Sequence, residues 1–178
     1  MENLDEILGT NIRIMAQTIT EVCLRSTLAL ACPVALTRNQ FSILKITACG
    51  NSLPISILAG LLDISNAAVS KNIDRLAHLG LVVRKTDPRD RRRHEIILLD
   101  PGRDIVRAYD RILEQKQTHL MEQFSPWEKA VLLGLLQRVI RFTLAEEQDT
   151  EMICLQCGGH CGDHCVVAPA TGTGPRRR

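Results

Sequence analysis

The chain is short of aromatic residues, of net charge and of long apolar runs, and each shortage closes off a class of answer. Phe, Trp and Tyr make up 3% of its 178 residues, while hydrophobic residues reach 45%. The apolar content is therefore aliphatic, which excludes a disordered chain and leans towards packed helices. A net charge of +2 means that whole-chain electrostatics do not argue for nucleic acid. Leu28–Leu36, the longest apolar run, is interrupted by Pro33 and is far too short to span a bilayer. The opening MENLDEILG is acidic and lacks the basic n-region of a secretory signal. A cytoplasmic protein with no membrane partner is expected. No nucleophile–base pair, phosphate-binding loop or carboxylate dyad stands out, so an enzyme is not expected, and there is no internal repeat.

What charge there is lies unevenly. Arg84–Arg93 holds six basic and two acidic residues, a local surplus larger than the net charge of the whole chain. Just before it, ISILAGLLDIS (55–65) and NAAVSKNIDRLAHLG (66–80) form two short amphipathic patterns. Leu58, Leu61 and Leu62 share one face of the first, with Ser56 as its expected cap. Asp63-Ile64-Ser65 breaks the chain, and Ser65 is placed to accept the free N–H groups of the next helix. There Val69, Ile73, Leu76 and Ala77 recur at helical spacing and face a core, leaving Asn66, Ser70, Lys71, Asp74 and Arg75 outside. Gly80 is the left-handed stop. Two β-rich runs follow, Leu81–Val83 and Glu95–Leu99, joined by the arginine-dense turn. Helix, turn, polar-faced helix and basic hairpin together spell a winged helix-turn-helix.

LAGLLDISNAAVSKNIDRLAHLGLVVR with DPRDRRRHEIILLDPG resembles the MarR family of bacterial transcription regulators. The resemblance rests on Asp87, Asp90, Arg91 and Arg92 in the wing and Gly102 in the helix after it, and extends loosely from Leu4 to Glu147. It implies a mainly α, MarR-like winged helix-turn-helix with long dimerisation helices and a two-stranded wing, bound as a homodimer to a palindromic operator in double-stranded DNA. It also implies that an Asp–Arg pair stiffens the wing. Asp63 stands where many such turns have Gly. Leu99 replaces a usual Thr cap, which Asp100-Pro101 is expected to supply one residue later.

The DNA-binding set expected from these residues is Ser65, Asn66, Ser70, Lys71, Arg75, Arg89, Arg91 and Arg92. Asn and Lys suit adenine and guanine edges in the major groove, and Ser is permissive. The wing arginines suit the minor groove and flanking phosphates; read alone, they are equally an ordinary solvated charge run.

The flanks read as helices. Leu4, Leu8, Ile12, Met15, Ile19 and Val22 mark a long amphipathic helix to about Leu30, ended by Pro33. Thr37-Arg-Asn-Gln40 is a capping box opening a helix to Gly50. Pro101–Gln123 carries a stripe of Ile105, Tyr109, Ile112, Lys116 and Leu120. Ser125-Pro126-Trp127-Glu128 is a second capping box, starting a helix to about Glu147 that is apolar on most sides. So much apolar helix beyond a winged domain implies either an enlarged monomeric core or a dimer interface. The divisions are 1–36 (N-terminal dimerisation helix), 37–100 (winged helix-turn-helix), 101–148 (C-terminal dimerisation helices), 149–167 (cysteine-rich) and 168–178 (disordered basic tail).

Cys154, Cys157, Cys161 and Cys165 form C-x2-C-x3-C-x3-C with Gly158, Gly159 and Gly162 interleaved. In a reducing compartment such thiols are more readily metal ligands than disulfides. The compact run resembles the binding loop of a [4Fe–4S] cluster, though its spacing differs by one residue and no Pro follows. Zinc, held by four thiolates or by three with His160 or His164, is the alternative, with a redox disulfide or soft-metal site beyond it. Cys23, Cys32 and Cys49 are isolated; Cys23, beside the apolar stripe of the first helix, reads as a small hydrophobe, and the resemblance offers peroxide sensing as its alternative, though no evident basic pair surrounds it. The expected function is a dimeric regulator, a repressor, with a redox- or oxygen-responsive tail. The alternatives are regulation by a small-molecule effector with a zinc tail, and electron transfer on a winged-helix scaffold.

Overall fold

The computed structural model describes residues 3–48, 54–86, 94–145 and 153. Helix α1 (Leu4–Gln17) is capped by the Asn3 side chain, which accepts the Asp5 N–H at 3.2 Å. It runs without a break through a π-helical stretch, Thr18–Leu24, into α2 (Arg25–Ala31). The expected single helix is thus present, but its middle is wound more widely. At the end of that stretch the Ser26 and Thr27 hydroxyls both donate to the Cys23 carbonyl, at 3.1 and 2.7 Å. Such back-bonding competes with the helix ladder and distorts it. Cys32 turns extended before Pro33.

Helix α3 (Arg38–Ala48) opens on the expected capping box. Gln40 Oε1 accepts the Thr37 N–H at 3.0 Å, and Thr37 Oγ1 accepts the Gln40 N–H at 3.3 Å. Helices α4 (Ile55–Leu62) and α5 (Asn66–His78) lead into strands β1 (Val82–Thr86) and β2 (His94–Leu98), an antiparallel pair with Val82 opposite Leu98 and Arg84 opposite Ile96. The strands sit one residue or more from the expected bounds, because Leu81 is still closing the turn after α5 and Leu99 is already starting the next helix.

Two expected caps are corrected. The N-cap of α4 is Pro54, whose carbonyl accepts from Ile57 and Leu58 at 3.0 and 3.1 Å, and Ser56 lies inside the first turn. Proline supplies the extended backbone an N-cap needs and has no N–H to satisfy. For α6 (Asp100–Met121) the N-cap is Leu99, not Asp100. Leu99 donates its N–H to the Leu81 carbonyl at 3.0 Å, so the strand pairing itself sets the helix start. Asp100 then stands in the first turn, where a carboxylate meets the positive end of the helix dipole.

Helix α7 (Pro126–Leu144) has the expected capping box, with Glu128 accepting from both the Ser125 N–H (2.8 Å) and hydroxyl (2.7 Å). The Ser125 hydroxyl, then its backbone N–H, holds the Glu128 carboxyl below its ordinary value. The carboxylate half of the cap is therefore complete at neutral pH and is lost as pH falls through that lowered value.

One core joins the winged domain to α6. Ile43, Leu44, Leu58, Val69, Ile73, Leu76, Val82, Leu98 and Ile105 are buried together. At its edge Phe41 packs on Tyr109 with ring centroids 4.4 Å apart, and Lys45 lies over the Tyr109 ring and pairs with Asp110 at 3.3 Å. Burial first, and Asp110 second, push the Tyr109 hydroxyl up to about 12, so it stays neutral. Lys116, expected on an apolar stripe, crosses to α2 and donates to Ser26 Oγ (2.8 Å) and Thr27 Oγ1 (3.0 Å).

Helices α1 and α7 contribute no buried residue. Leu8 (52% exposed), Leu133 (56%) and Phe142 (76%) all face outwards. No described helix is long and apolar enough to cross a membrane.

Gly102 marks the tightest junction. A Cβ there would lie 2.5 Å from the Leu81 carbonyl oxygen and 2.7 Å from Leu98 Cδ1. Backbone cannot give way as a flexible side chain does. Gly102→Ala is expected to cost roughly 1–3 kcal/mol, the usual range for overpacking, read as a lower midpoint in urea unfolding. An unchanged midpoint would mean that α6 tilts freely from the wing.

Candidate nucleic-acid interface

The helix-turn-helix is built from two matching stops. At the end of α4, Asp63 takes a left-handed conformation (φ 51°, ψ 46°), the Ile64 N–H reaches the Ala59 carbonyl at 3.1 Å and the Asp63 N–H reaches Gly60 at 3.3 Å. At the end of α5, Gly80 (φ 68°) repeats the pattern, with Leu81 to Leu76 and Gly80 to Ala77 both at 3.0 Å. This is the Schellman arrangement. Asp serves in place of Gly at the first stop because its short polar side chain makes the left-handed region less costly than for most residues.

Ser65 then caps α5 as expected, its hydroxyl accepting the Ala68 N–H at 3.2 Å. Val69, Ile73 and Leu76 are completely buried beneath the helix. That leaves Ser65, Asn66, Lys71, Asp74 and Arg75 exposed and Ser70 half-buried on the outer side. The expected helix residues are thus brought to one surface. Ala67, which sequence reasoning passed over, is exposed between them. Its methyl suits a thymine methyl, and a helical projection places it there.

The wing divides by strand parity. Val83 and Lys85 point out, whereas Val82 and Arg84 turn towards the body. Arg84 Nη2 donates to the Ser70 carbonyl at 3.2 Å and pairs with Asp74 Oδ1 at 3.3 Å. Counted by sequence within the basic surplus, it is spoken for internally. Arg89, Arg91 and Arg92, with Asp87 and Asp90, lie outside the described residues, so the expected Asp–Arg pairing in the wing is not on view.

The same holds for Cys49 and for the cluster Cys154, Cys157, Cys161 and Cys165. Cys23 and Cys32 are free thiols, both half-buried. Among the described residues no group of three or more His, Cys, Asp and Glu side chains is placed to hold a metal. His78 and His119 are exposed, the latter 3.0 Å from Glu122, the residue that closes α6.

Comparisons with known proteins agree with this geometry. Residues 36–94 match the family model described as "MarR family". A protein of Thauera aromatica described as a putative transcriptional regulatory protein for the hcr operon is 28% identical over 106 residues, 60% of this chain. That match spans 64% of the relative's own length. Among solved structures, RV1404 from Mycobacterium tuberculosis superposes with a TM-score of 0.64 at 23% identity, covering 84% of this chain and 98% of that one. A point mutant of S. aureus MepR bound to an oligodeoxyribonucleotide gives 0.59 at 20% identity, covering 76% and 97%. At these identities the structural likeness establishes a MarR-like winged-helix fold.

Removing the α5 cap tests the local argument. Ser65→Ala is expected to cost about 1 kcal/mol of stability, measurable by thermal unfolding. No change would show that the helix start is held by its neighbours instead.

Proposed function

We propose that this chain, a MarR-like winged-helix protein whose residues 36–94 match the MarR family, binds operator DNA as a two-fold dimer and regulates transcription rather than catalysing a reaction. The observation that supports it best is α5. Three fully buried aliphatic side chains hold it down, and its opposite side offers Asn66, Ser70, Lys71 and Arg75. Arg89, Arg91 and Arg92 supply the charge that a wing needs at the backbone. Phosphate contacts position such a protein and base contacts specify its site.

The test is duplex selection from a random pool, followed by salt titration. Wild type is expected to select a near-palindrome with half-sites about one helical turn apart. Arg91→Ala with Arg92→Ala should weaken binding to every duplex and reduce the salt slope by about one unit for each lost phosphate contact. A best site that is a single asymmetric element bound by one protomer would overturn the dimeric reading.

The dimer rests on α1 and α7. A helix that is apolar on most sides and buries nothing within its own protomer needs a partner. Leu133→Asp is expected to give monomers by sedimentation, with loss of operator affinity.

The cysteine-rich segment is read as the sensor. Cys154, Cys157, Cys161 and Cys165 form the donor set of a [4Fe–4S] cluster, a group that would supply sensitivity to oxygen and redox state. The segment follows α7 in sequence, so its ordering bears on the dimer. A bound centre shifts the DNA-binding equilibrium only by its differential affinity for the two states. Operator binding by wild type and Cys161→Ser, each prepared without oxygen and then exposed to air, reads this out. A change of roughly 5–150-fold between anaerobic wild type and Cys161→Ser is expected, with air making wild type resemble the variant. Four equal affinities would remove the tail as sensor. Because His160 and His164 stand among the thiols, zinc is the second reading, with a small-molecule effector as the signal. It predicts a colourless, zinc-loaded protein indifferent to air.

A further inference from the structure

Arg84 opens the basic run of the wing, yet it stands on the strand face turned away from the solvent side. In β1, Val82 is 1% exposed and Val83 42%, and Arg84 shares the parity of Val82. Its partner across the ladder, Ile96, is 5% exposed. From that inward position one nitrogen, Nη2, reaches both the Ser70 carbonyl (3.2 Å) and the Asp74 carboxylate (3.3 Å). Those two residues lie one turn apart on α5, so a single guanidinium grips two successive rungs of the recognition helix. The Arg84 Nε is buried with no hydrogen-bond partner among the described residues.

Asp74 is otherwise hard to account for. It is a carboxylate on the side of α5 that carries Asn66, Lys71 and Arg75, where a negative charge opposes DNA phosphates. The pair is not explained by stability either. The Asp74 side chain is 65% exposed and that of Arg84 30%, and pairs so open to solvent add little.

We propose that Arg84 is a positioning residue for DNA recognition: with Asp74 and the Ser70 carbonyl it sets the angle between wing and recognition helix and touches no phosphate itself. The inference rests on the DNA-binding reading above. The rigid fork of the guanidinium suits it to this task, since lysine carries the charge but not the geometry. A wing held this way keeps β1, with the outward-facing Lys85 on it, at a fixed angle to the bases read by α5.

The test uses the duplex that wild type selects from a random pool and an unrelated duplex of equal length. Both are titrated by fluorescence anisotropy over a range of KCl concentrations. The variants are Asp74→Asn, Arg84→Gln, Arg84→Lys and the double variant Asp74→Asn/Arg84→Gln. Removing a carboxylate beside DNA should by charge alone tighten binding to any sequence. The proposal requires the opposite on the selected site: Asp74→Asn weakens it roughly tenfold or more, as when a base contact is misaimed, while the unrelated duplex is bound as well as before or better. Arg84→Gln should do likewise with an unchanged salt slope, Arg84→Lys should not restore the selectivity, and the double variant should be no worse than either single change. Circular dichroism of Asp74→Asn, altered at an exposed side chain, separates misaiming from unfolding.

Either of two results would overturn the proposal. One is an Asp74→Asn variant that binds both duplexes more tightly and by the same factor. The other is an Arg84→Gln variant that loses about one unit of salt slope on both, the mark of a phosphate contact. Wild type that binds neither duplex would instead overturn the DNA-binding reading, and is recognised before any variant is compared.

Discussion

Burial of one aliphatic face of α5 is the constraint on which the rest of the molecule depends. Val69, Ile73 and Leu76 lie against α3, α4 and the wing with no exposed surface. Each such side chain contributes about 1.5–3 kcal/mol relative to an exposed one, an upper estimate because denatured chains already bury some apolar area. A helix anchored that firmly on one side has no freedom to choose what it shows on the other. The exposure of Asn66, Lys71 and Arg75 is a consequence of the core.

The surrounding devices keep that helix in place. Matching Schellman stops at Asp63 and Gly80 bound it on both sides, and Ser65 closes its first turn. At the other end of the domain, the Leu81 carbonyl accepts the Leu99 N–H while its oxygen sits against Gly102. The wing, α5 and α6 therefore meet at one backbone position. Lys45, Tyr109 and Asp110 tie α3 to the same helix, and Lys116 ties it on to α2. A change in how α6 sits in a dimer would be felt at α5 through packed groups and not through a flexible linker.

The apolar surface tells the complementary story. The stripe Leu4, Leu8, Ile12, Met15, Ile19 and Val22 forms as a stripe, yet every member is at least 43% exposed in the protomer. Periodicity reports that a face is apolar and says nothing about what covers it. A helix packed within its own chain and one packed against a second copy are written alike. In the protomer α1 and α7 bury nothing, which their periodicity could not have told.

By itself the sequence determined most of what closes within a turn or two of chain, the cap of α4 excepted, which falls to Pro54 and not to Ser56. The capping boxes at Thr37–Gln40 and Ser125–Glu128, the Ser65 cap, the stop at Gly80 and the buried face of α5 stand where the residues put them, because each depends on neighbours three to five positions away. The wing tip and the four-cysteine segment were equally plain as chemistry, but lie beyond the described residues and carry no geometry. Tertiary structure decided whatever depends on distant partners. Asp100 looks like a cap, yet the Leu99–Leu81 pairing places the start of α6 elsewhere. Lys116 finds its partners 89 and 90 residues away. Arg84, indistinguishable in the sequence from the other cations of the wing, is turned inward by strand parity and claimed by Asp74. Local hydrogen bonds are set by the spacing of a few residues, whereas the facing of a charged side chain is settled by which elements pack beside it.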